Sequence, residues 1–558
     1  MTSTVNELHG MAGTLEQLLL DRETGCDGNT AYRFIMRADG EPVEWSYATL
    51  VARAKTIAAA LQRRNLARER VLILCSIGED YVSTLFGCLL SGAIAVPCTP
   101  IKASRNQSKI LQIIQNCGPG LIVCDQPSAP KMRTLLDSFG LYEIEVVDPV
   151  QLSDEDNVWR RANIAADDIA FLQYTSGSTS APKGVIVTHA NILANLAAIT
   201  GKFGLTRASR GLVWLPPYHD MGLVGGILNP LFVGYPVTLL APLLFIQKPL
   251  RWLELVSRYR ITASGGPNFG YQACVDRIQD ADCADLDLRC WQLAFNGAER
   301  VNAATLERFT AKFARCGFDG RAHYPTYGMA EATLMISGGV QGEAFRVERH
   351  IAGGGEGWSR DVVCCGSVID GHALLVVDAD SGVALGEGGV GEIWFSGPSV
   401  ARGYWNADNA AFEGALADRP GRFLRTGDLG VLIDGEVYLL GRAKEMVVLR
   451  GANYFPTDLE NAIRVSHPAL NPDGIVVFSC AAELTERLVV VAELKRNAKE
   501  VVDSEVRTRI VAAMVEEYDI APDEVVLLDQ GAMQRTSSGK LMRTAMKKSY
   551  LEKRPANT

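Results

Sequence analysis

The sequence has little of what marks a metal-binding, disulfide-linked or nucleic-acid-binding protein. Its 13 cysteines and seven histidines are dispersed, with no Cys-x-x-Cys pair and one close cysteine pair, at Cys364 and Cys365. This pattern predicts neither a zinc site nor a disulfide framework, and it fits a reducing cytoplasm. The formal net charge of −9 argues against a general nucleic-acid binder, because such a protein must neutralise phosphates.

Evident targeting and membrane segments are also lacking. The first ten residues, MTSTVNELHG, carry no basic stretch and no apolar core, so no signal peptide is expected and we predict a cytoplasmic protein. Residues 222–246 are 25 residues without a charge, long enough by length alone to cross a bilayer. Because three prolines and four glycines interrupt this stretch, we predict buried strands and turns beside a pocket, and no membrane span.

The length and the pattern of apolar residues indicate an α/β protein with more than one domain. The chain has 558 residues, of which 47% are hydrophobic and 21% are charged, as in ordinary globular proteins. Short apolar runs alternate with helical patterns, which predicts parallel sheets covered by helices. The predicted strands are Val71–Cys75, Ala93–Val96, Leu121–Cys124 and Ile144–Val147, and Leu50–Leu61 is a predicted helix.

The pattern changes near residue 441. Residues 441–445, GRAKE, form a charged group between two apolar runs. The predicted elements after it are a short helix at Asp458–Arg464, strands at Gly474–Phe478 and Leu488–Leu494, and a helix at Ser504–Tyr518. We therefore predict a large N-terminal domain of helix-covered sheets over residues 1–441 and a small, mobile α+β C-terminal domain over residues 442–558, with a hinge near Lys444.

The most informative stretch is the loop at residues 174–184, YTSGSTSAPKG. Apolar runs precede and follow it, so it is predicted to join two strands. Its glycines let backbone N–H groups turn inward, its hydroxyls add donors, and Lys183 adds a positive charge. This combination predicts a polyphosphate site. It is not a Walker loop, because glycine and a β-branched run follow the lysine and the helix begins only near Thr188.

Three further motifs follow in order along the chain. Residues 323–331, HYPTYGMAE, offer an aromatic ring that could stack on a base and then a carboxylate. Residues 423–428, FLRTGD, place Asp428 on a glycine turn, and one carboxylate can accept hydrogen bonds from both ribose hydroxyls. Residues 535–540, RTSSGK, put a second lysine, Lys540, on a loop near the C-terminus.

Taken together, these motifs resemble those of the adenylate-forming superfamily, over about residues 15 to 550. Ser180 stands where that superfamily usually has glycine, and Gln534 stands where proline is common. Four further stretches resemble the fatty acyl-AMP ligase branch: WLPPYHDMGL at 214–223, GGPNF at 265–269, FNGAE at 295–299 and SGPSVA at 396–401. Residues 340–361 occupy the place of an extra segment typical of that branch, although an ordinary surface loop would also explain them.

The resemblance implies ATP-dependent activation of a fatty acid to acyl-AMP, with release of pyrophosphate. The acyl group would then pass to the phosphopantetheine thiol of an acyl carrier protein, or of a carrier domain in a polyketide or nonribosomal peptide synthase. ATP and Mg²⁺ would be required. The alternatives are a fatty acyl-CoA ligase, a stand-alone amino-acid adenylation enzyme in which Asp220 binds the ammonium group, and a catalytically silent binding homologue.

The resemblance also assigns roles to residues. The implied catalytic residues are Lys540, His219 and Glu331, and Glu331 and Thr175 would hold the metal. The implied ATP and AMP ligands are Thr175, Ser176, Gly177, Ser178, Thr179, Lys183, Asn296, Gly297, Ala298, Tyr327, Gly328, Asp428 and Arg442. The implied acyl pocket consists of His219, Met221, Gly222, Gly265, Gly266, Asn268 and Phe269. The basic residues from Arg535 to Arg554 form either a docking surface for an acidic carrier protein or a solvated helix face.

Overall fold

The computed structural model describes most of the chain as four sheets with helices packed around them. It covers residues 12–26, 28–101, 107–153, 158–175, 182–352, 359–417, 420–449, 452–481, 486–496, 498, 502–518, 520–536 and 539–552. The α-helices are α1 (Leu15–Cys26), α2 (Tyr47–Arg63), α3 (Glu79–Ser91), α4 (Gln107–Cys117), α5 (Ala129–Ser138), α6 (Pro149–Ser153), α7 (His189–Lys202), α8 (Asn229–Val233), α9 (Pro242–Gln247), α10 (Leu250–Tyr259), α11 (Asn268–Arg277), α12 (Ala303–Phe313), α13 (Pro456–Arg464), α14 (Asp503–Tyr518) and α15 (Arg543–Glu552).

Within the described residues, the strands fall into sheets of 15, seven, two and three members. They are β1 (Thr30–Ile35), β2 (Val43–Ser46), β3 (Arg70–Leu74), β4 (Ile94–Pro97), β5 (Leu121–Cys124), β6 (Glu145–Val147), β7 (Ile169–Thr175), β8 (Lys183–Thr188), β9 (Gly211–Val213), β10 (Val237–Leu240), β11 (Ala263–Gly266), β12 (Leu293–Asn296), β13 (His323–Gly328), β14 (Met335–Gly338), β15 (Val347–Ala352), β16 (Ser359–Val368), β17 (Ala373–Asp378), β18 (Val383–Ala384), β19 (Gly391–Ser396), β20 (Tyr404–Trp405), β21 (Leu424–Ile433), β22 (Glu436–Arg442), β23 (Val447–Leu449), β24 (Ala452–Tyr454), β25 (Leu470–Ala481), β26 (Glu486–Leu494) and β27 (Glu524–Leu528).

The seven-stranded sheet, ordered β20-β8-β7-β4-β3-β5-β6, confirms the strands predicted in the first third of the chain. Its strands β3, β4, β5, β6 and β7 are parallel to one another. The predicted helix is also confirmed, and α2 extends it by a few residues at each end. The strands of this sheet are continuous apolar runs because helices cover both of its faces.

The predicted phosphate loop joins β7 to β8, as expected. The two strands are antiparallel, with Tyr174 opposite Gly184 and Thr175 opposite Lys183. Glycine at 184 leaves room for the Tyr174 ring, because a Cβ there would lie 2.8 Å from the ring. The helix after the loop begins at His189 with Thr188 as its N-cap. Residues 176–181, which hold Ser176, Gly177, Ser178 and Thr179, lie outside the part of the chain that the structure describes.

The 15-stranded sheet has a parallel centre, in which β1, β10, β9, β11, β12 and β13 are successive neighbours. From β14 onward the neighbours pair antiparallel. The carboxyl ends of parallel strands meet at one edge of a sheet, where ligands bind in open α/β folds. The residues that follow β9, β11 and β12 therefore lie at this edge of the sheet, close to the carboxyl end of β13.

The charge-free stretch at 222–246 differs from its prediction, because most of it is helical. A π-helix spans Met221–Leu228, α8 and α9 follow, and β10 is the only strand. Pro230 and Pro242 do not break these helices, because they lie in the first turn of α8 and α9, where proline is tolerated, and Pro236 lies between α8 and β10. The stretch is largely buried and lines a cavity, as predicted. Within the described ranges, no helix is both long and apolar enough to cross a membrane.

The C-terminal region has its own core. Helices α13 and α14 pack on the sheet β25-β26-β27 around buried residues such as Leu459, Ile475 and Met514. These elements confirm the predicted helices and strands, although β25 begins four residues earlier than expected. The separate core supports a small α+β domain, and the exact boundary at 441 and the hinge at Lys444 stay predictions.

The segment at 340–361 is not an independent surface loop. Strand β15 pairs antiparallel with β16, with Val347 opposite Val363. Phe345 and Val347 pack against the core of the large domain, and Arg346 forms an ion pair with Glu436. The segment therefore extends the large sheet. Its glycines at 353–355 lie outside the described ranges.

His189 makes the stability of this fold depend on pH. Its buried Nδ1 accepts a hydrogen bond from the Leu15 N–H, at 3.1 Å, at the start of α1. Burial lowers the pKa of His189 to about 4. An unfolded histidine titrates near pH 6.5, so the unfolded chain binds more protons between these values and stability falls as the pH drops through that window.

We predict that lowering the pH from 7.5 to 5 costs the wild type about 2 kcal/mol through His189 alone. His189→Gln keeps an acceptor but does not titrate, so it should lose that much less over the same range. Urea unfolding of both proteins at the two pH values measures the difference. Equal losses in the two proteins would contradict the assignment to His189.

Candidate active site

The nucleoside-binding residues of the prediction come together at one edge of the large sheet. Asp428 lies opposite Arg442 on the antiparallel strands β21 and β22. The Arg442 Nε is 2.8 Å from one Asp428 oxygen, and the Tyr327 hydroxyl donates to the other at 2.7 Å. Arg442 also donates to the Thr426 carbonyl at 2.8 Å. Burial raises the pKa of Asp428, and the charge of Arg442 opposes this effect.

Backbone packing holds Tyr327 beside the loop that follows β12. A Cβ on Gly328 would lie 1.9 Å from the Leu334 carbonyl oxygen, so only glycine allows the chain to turn here. A Cβ on Gly297 would lie 2.8 Å from the Thr326 carbonyl. Because Asn296 ends β12, which is parallel to β13, residues 296–298 and Tyr327 lie at neighbouring strand ends.

The predicted phosphate and metal residues are connected by a tyrosine. The Lys183 ammonium lies 4.6 Å from the centre of the Tyr404 ring. The Tyr404 hydroxyl donates to Glu331 Oε1 at 2.7 Å. Burial, and then the Glu331 charge, raise the pKa of Tyr404, so its hydroxyl stays protonated and remains a donor. Thr175 lies opposite Lys183 across the β7–β8 pair.

Lys540 reaches this edge from the small domain. Its Nζ donates to the carbonyl of Ala298, whose backbone has the left-handed φ of +66°. A tight turn presents the lysine: the Thr536 N–H donates to the Lys540 carbonyl at 2.7 Å, and the Lys540 N–H donates to the Thr536 hydroxyl at 3.0 Å. Gly539 completes the turn with a φ of +89°.

The charge of Lys540 acts on partly buried residues of the large domain. Burial, together with the charges of Lys540 and Lys109, lowers the pKa of His219 to about 3. His219 is therefore a neutral imidazole at physiological pH. Burial raises the pKa of both Asp220 and Glu299, and Lys540 opposes the shift in each case. One Glu299 oxygen accepts the Phe269 N–H at 2.7 Å, at the start of α11.

An apolar cavity opens beside these residues. Asp220, Met221, Ala298 and Tyr327 line one end of it, and aliphatic and aromatic side chains such as Phe203, Val213, Phe295 and Leu334 line its walls. The cavity thus begins where the nucleoside residues and Lys540 meet.

Of the predicted acyl-pocket residues, Met221 lines this cavity, whereas His219, Gly222, Gly265, Gly266, Asn268 and Phe269 are not among its lining residues. Gly265 packs against Phe295, where a Cβ would lie 2.1 Å from the carbonyl oxygen, and Gly266 packs against Trp214. Gly222 packs against Pro216, and the buried Asn268 donates to the Thr305 hydroxyl at 3.3 Å. Phe269 lies 4.0 Å from the position of a Cβ on Gly539, in the turn that carries Lys540.

Comparison with known proteins matches this arrangement. A family model described as AMP-binding enzyme matches residues 23–405. The chain belongs to the AMP-binding enzymes. A second model, described as Disco-interacting protein 2-like, AMP domain, matches residues 444–557.

Similar proteins refine the assignment. Medium-chain-fatty-acid–[acyl-carrier-protein] ligase JamA of Moorena producens is 37% identical over 97% of this chain and 95% of its own. Long-chain-fatty-acid–AMP ligase FadD32 of Mycolicibacterium smegmatis is 31% identical over 94% of this chain and 92% of its own. A structure from studies of fatty acyl-adenylate ligases from E. coli and L. pneumophila has a TM-score of 0.87 at 30% identity, covering 97% of this chain and 98% of that one. These similarities confirm the predicted fatty acyl-AMP ligase branch.

Tyr404 is a residue of this AMP-binding enzyme that the sequence did not reveal. It lies on β20, a strand of two residues that pairs with β8, far away in the sequence. The only local sign is its position shortly after the SGPSVA stretch. No spacing rule connects it to Glu331, which is 73 residues earlier.

Replacing Tyr404 by phenylalanine tests its role. The ring beside Lys183 is kept, but Glu331 loses a donor, and a hydrogen bond to a charged group contributes about 1.5–3 kcal/mol. We expect kcat/KM for ATP in adenylate formation to fall about 10-fold or more, with the thermal unfolding temperature nearly unchanged. Trp405→Phe, on the same short strand, is the matched control and should keep the wild-type value. A Tyr404→Phe variant as active as wild type would show that the hydroxyl is dispensable.

Proposed function

We propose that this protein activates a fatty acid with ATP and then transfers the acyl group to a carrier protein. A carboxylate oxygen attacks the α-phosphorus of ATP, and pyrophosphate leaves to give acyl-AMP. The phosphopantetheine thiol then attacks the acyl carbonyl carbon, and AMP leaves. The observation that carries the proposal is the Lys540 ammonium at the Ala298 carbonyl, between the nucleoside residues and the mouth of the apolar cavity.

The nucleotide roles follow from the geometry of the site. The ribose hydroxyls would donate to Asp428, whose two oxygens are already oriented by Tyr327 and Arg442. The Tyr327 ring and residues 296–298 would hold adenine between them. The 174–184 loop would bind the β- and γ-phosphates, with Lys183 supplying a positive charge. Phosphoryl and adenylyl transfer depend mostly on such positioning and charge neutralisation.

Glu331 fits the Mg²⁺ site that the family implies. The described residues contain no cluster of three or more metal-ligating side chains, and Mg²⁺ is typically held by one or two carboxylates together with phosphates and water. Glu331 is 9% exposed, and its Oε1 accepts a hydrogen bond from the Tyr404 hydroxyl. Glu331, with the Thr175 hydroxyl, would hold the ion, which would neutralise phosphate charge when bound.

Lys540 and His219 would act where the acid meets the α-phosphate. Lys540 would contact both the substrate carboxylate and the α-phosphate, and so offset the negative charge that develops there. His219 is neutral, so it would orient the carboxylate by a hydrogen bond and would not act as a second cation.

The apolar cavity and the relatives favour a fatty acid over an amino acid. Two relatives are named medium-chain-fatty-acid–[acyl-carrier-protein] ligases, and we propose a medium-chain acid here. Asp220 lines the cavity mouth, but one of its oxygens accepts the Met221 N–H at 2.7 Å and burial raises its pKa. It is thus poorly suited to bind an ammonium group.

The two domains would rotate about Lys444 between the two half-reactions, because the thiol must reach the carbonyl that Lys540 approaches. The two family matches end at 405 and begin at 444, which supports a division at 441/442. Lys444 is exposed in a 3₁₀ turn at Ala443–Glu445.

We also propose a cytoplasmic location, since the twelve cysteines with a defined environment are all free thiols.

The hinge is tested by Lys444→Pro. A 3₁₀ turn has a φ close to that of proline, so the docked orientation seen here is compatible with the change, whereas rotation about this residue is restricted. We predict acyl-AMP formation near the wild-type rate and a large loss of thioester formation, with Lys444→Ala as the control that keeps both. Equal loss of both steps in Lys444→Pro would exclude a hinge at this position.

Part of the predicted basic docking surface is not exposed. Arg543 is nearly buried in ion pairs with Glu445 and Glu460. Arg535 and Lys548 are exposed and Lys547 is partly so, while Lys553 and Arg554 lie outside the described ranges. We propose that Arg535, Lys547 and Lys548 attract an acidic carrier protein, an effect that salt would weaken.

The proposed function is tested by pyrophosphate release with a panel of fatty acids and amino acids, followed by acceptor addition. We expect release with medium-chain fatty acids only, and acyl transfer to phosphopantetheinylated carrier protein but not to free CoA. The unmodified carrier protein is the matched control. Efficient acyl-CoA formation would favour the CoA-ligase alternative, and activation of amino acids would favour the amino-acid adenylation alternative. No release with any acid would indicate a silent homologue.

A further inference from the structure

The far end of the apolar cavity is formed by a row of residues across the large sheet. Val237, Gly211, Ala263 and Leu293 are successive partners on the neighbouring parallel strands β10, β9, β11 and β12. All four line the cavity. Each stands at the amino end of its strand, opposite to the edge where the nucleoside residues lie.

The cavity runs along the strands between these two edges. On β12 and the loop after it, Leu293, Phe295 and Ala298 line it in order, whereas Ala294 between them does not. This alternation is the period of a strand that presents one face to the cavity. Leu293 lies three residues before Asn296, a distance of about 10 Å along the strand. An acyl chain that enters at Ala298 would therefore direct its methyl end towards Leu293.

A second cavity lies directly beyond this end. It is polar, with Thr206, Ser209, Thr262, Gln292 and Gln341 among its lining residues. Leu205, Ala263 and Leu293 line both cavities. The separation between the apolar cavity and the polar one is thus a single residue thick at these three positions. Leu205 and Leu293 are nevertheless buried, at 9% and 1% exposure.

We propose that Leu205 and Leu293 form the distal wall that limits the length of the acyl chain. This inference rests on the proposed function. The wall is apolar on the side of the cavity, and the polar groups lie behind it, so the substrate class is an acid with an unsubstituted, apolar end. A longer chain would have to displace a buried leucine, and one methylene in such a pocket changes selectivity by roughly 10-fold or more.

The wall is tested by Leu293→Ala and Leu205→Ala. Each substitution opens the apolar cavity towards the polar one, so we expect the affinity ratio of the next longer acids to the acid preferred by wild type to rise about 10-fold. Ala263→Leu fills the end of the cavity, and it should move the preference to shorter acids. Displacement of a fluorescent fatty acid by saturated acids of increasing length measures these ratios without ATP.

Leu212→Ala is the matched control. Leu212 is a buried leucine on β9 between Gly211 and Val213, which both line the cavity, but it does not line the cavity itself. It should lower stability and leave the length preference unchanged. Folded Leu293→Ala and Leu205→Ala proteins with the wild-type preference would overturn the proposal, and so would an equal shift in Leu212→Ala.

Acyl-AMP formation by the wild type, measured in parallel, separates the two claims. If the wild type binds the acids but forms no acyl-AMP, the proposed function fails while the binding ratios still decide whether the two leucines form the wall. If the wild type forms acyl-AMP and the ratios do not move, the wall fails and the proposed function stands.

Discussion

The contact between the Lys540 ammonium and the Ala298 carbonyl is the constraint on which the active site depends. It can form only when the small domain is docked with its C-terminal turn at the edge of the large sheet. Arg300, two residues after Ala298, holds that orientation: it pairs with the buried Asp458 and lies within 3.4 Å of the Thr457 hydroxyl. One short loop therefore supplies both the acceptor for Lys540 and the anchor for the domain that carries it.

The same arginine connects the docked domain to the extra segment. Arg300 also donates to the Asp361 carbonyl at 3.4 Å, at the start of β16. Since β15 and β16 extend the large sheet, they fix one side of this contact. The carboxylates of the site can stay buried or partly buried because each has a defined partner: Asp428 with Arg442 and Tyr327, Glu331 with Tyr404, and Glu299 with the N–H of Phe269.

Much of this could be predicted from local patterns. The position of the phosphate loop between two strands could be predicted because clear apolar runs flank it on both sides. The helix α14 could be predicted from the helical spacing of Val506, Ile510 and Met514. Asp428 and Arg442 were assigned separately from two motifs, and the antiparallel pairing of β21 and β22 places them opposite each other. Motifs at strand ends and turns therefore predict where their side chains lie in the fold, because backbone geometry limits the positions that such residues can occupy.

The remainder could not be predicted, in one case for a local reason and in two cases because the feature depends on pairing between distant parts of the chain. The helices within 222–246 were missed because proline in the first turn of a short helix looks like a break in the sequence. Tyr404 was missed because its partner strand, β8, is more than 200 residues earlier. The cavity wall at Leu205 and Leu293 could not be recognised either. The residues that line the cavity are determined by the register of several strands, and the sequence of each strand alone is typical of an ordinary hydrophobic core.

The central claim is that Lys540 acts on the reacting groups and not on nucleotide binding. Single-turnover formation of acyl-AMP by Lys540→Ala, measured beside ATP affinity for the same protein, tests it most directly. Losing one charge donor at the transition state should slow adenylate formation by about 10²–10³-fold, with ATP affinity nearly unchanged. Acyl-AMP formation at the wild-type rate would contradict the account, and so would a loss explained entirely by weaker ATP binding.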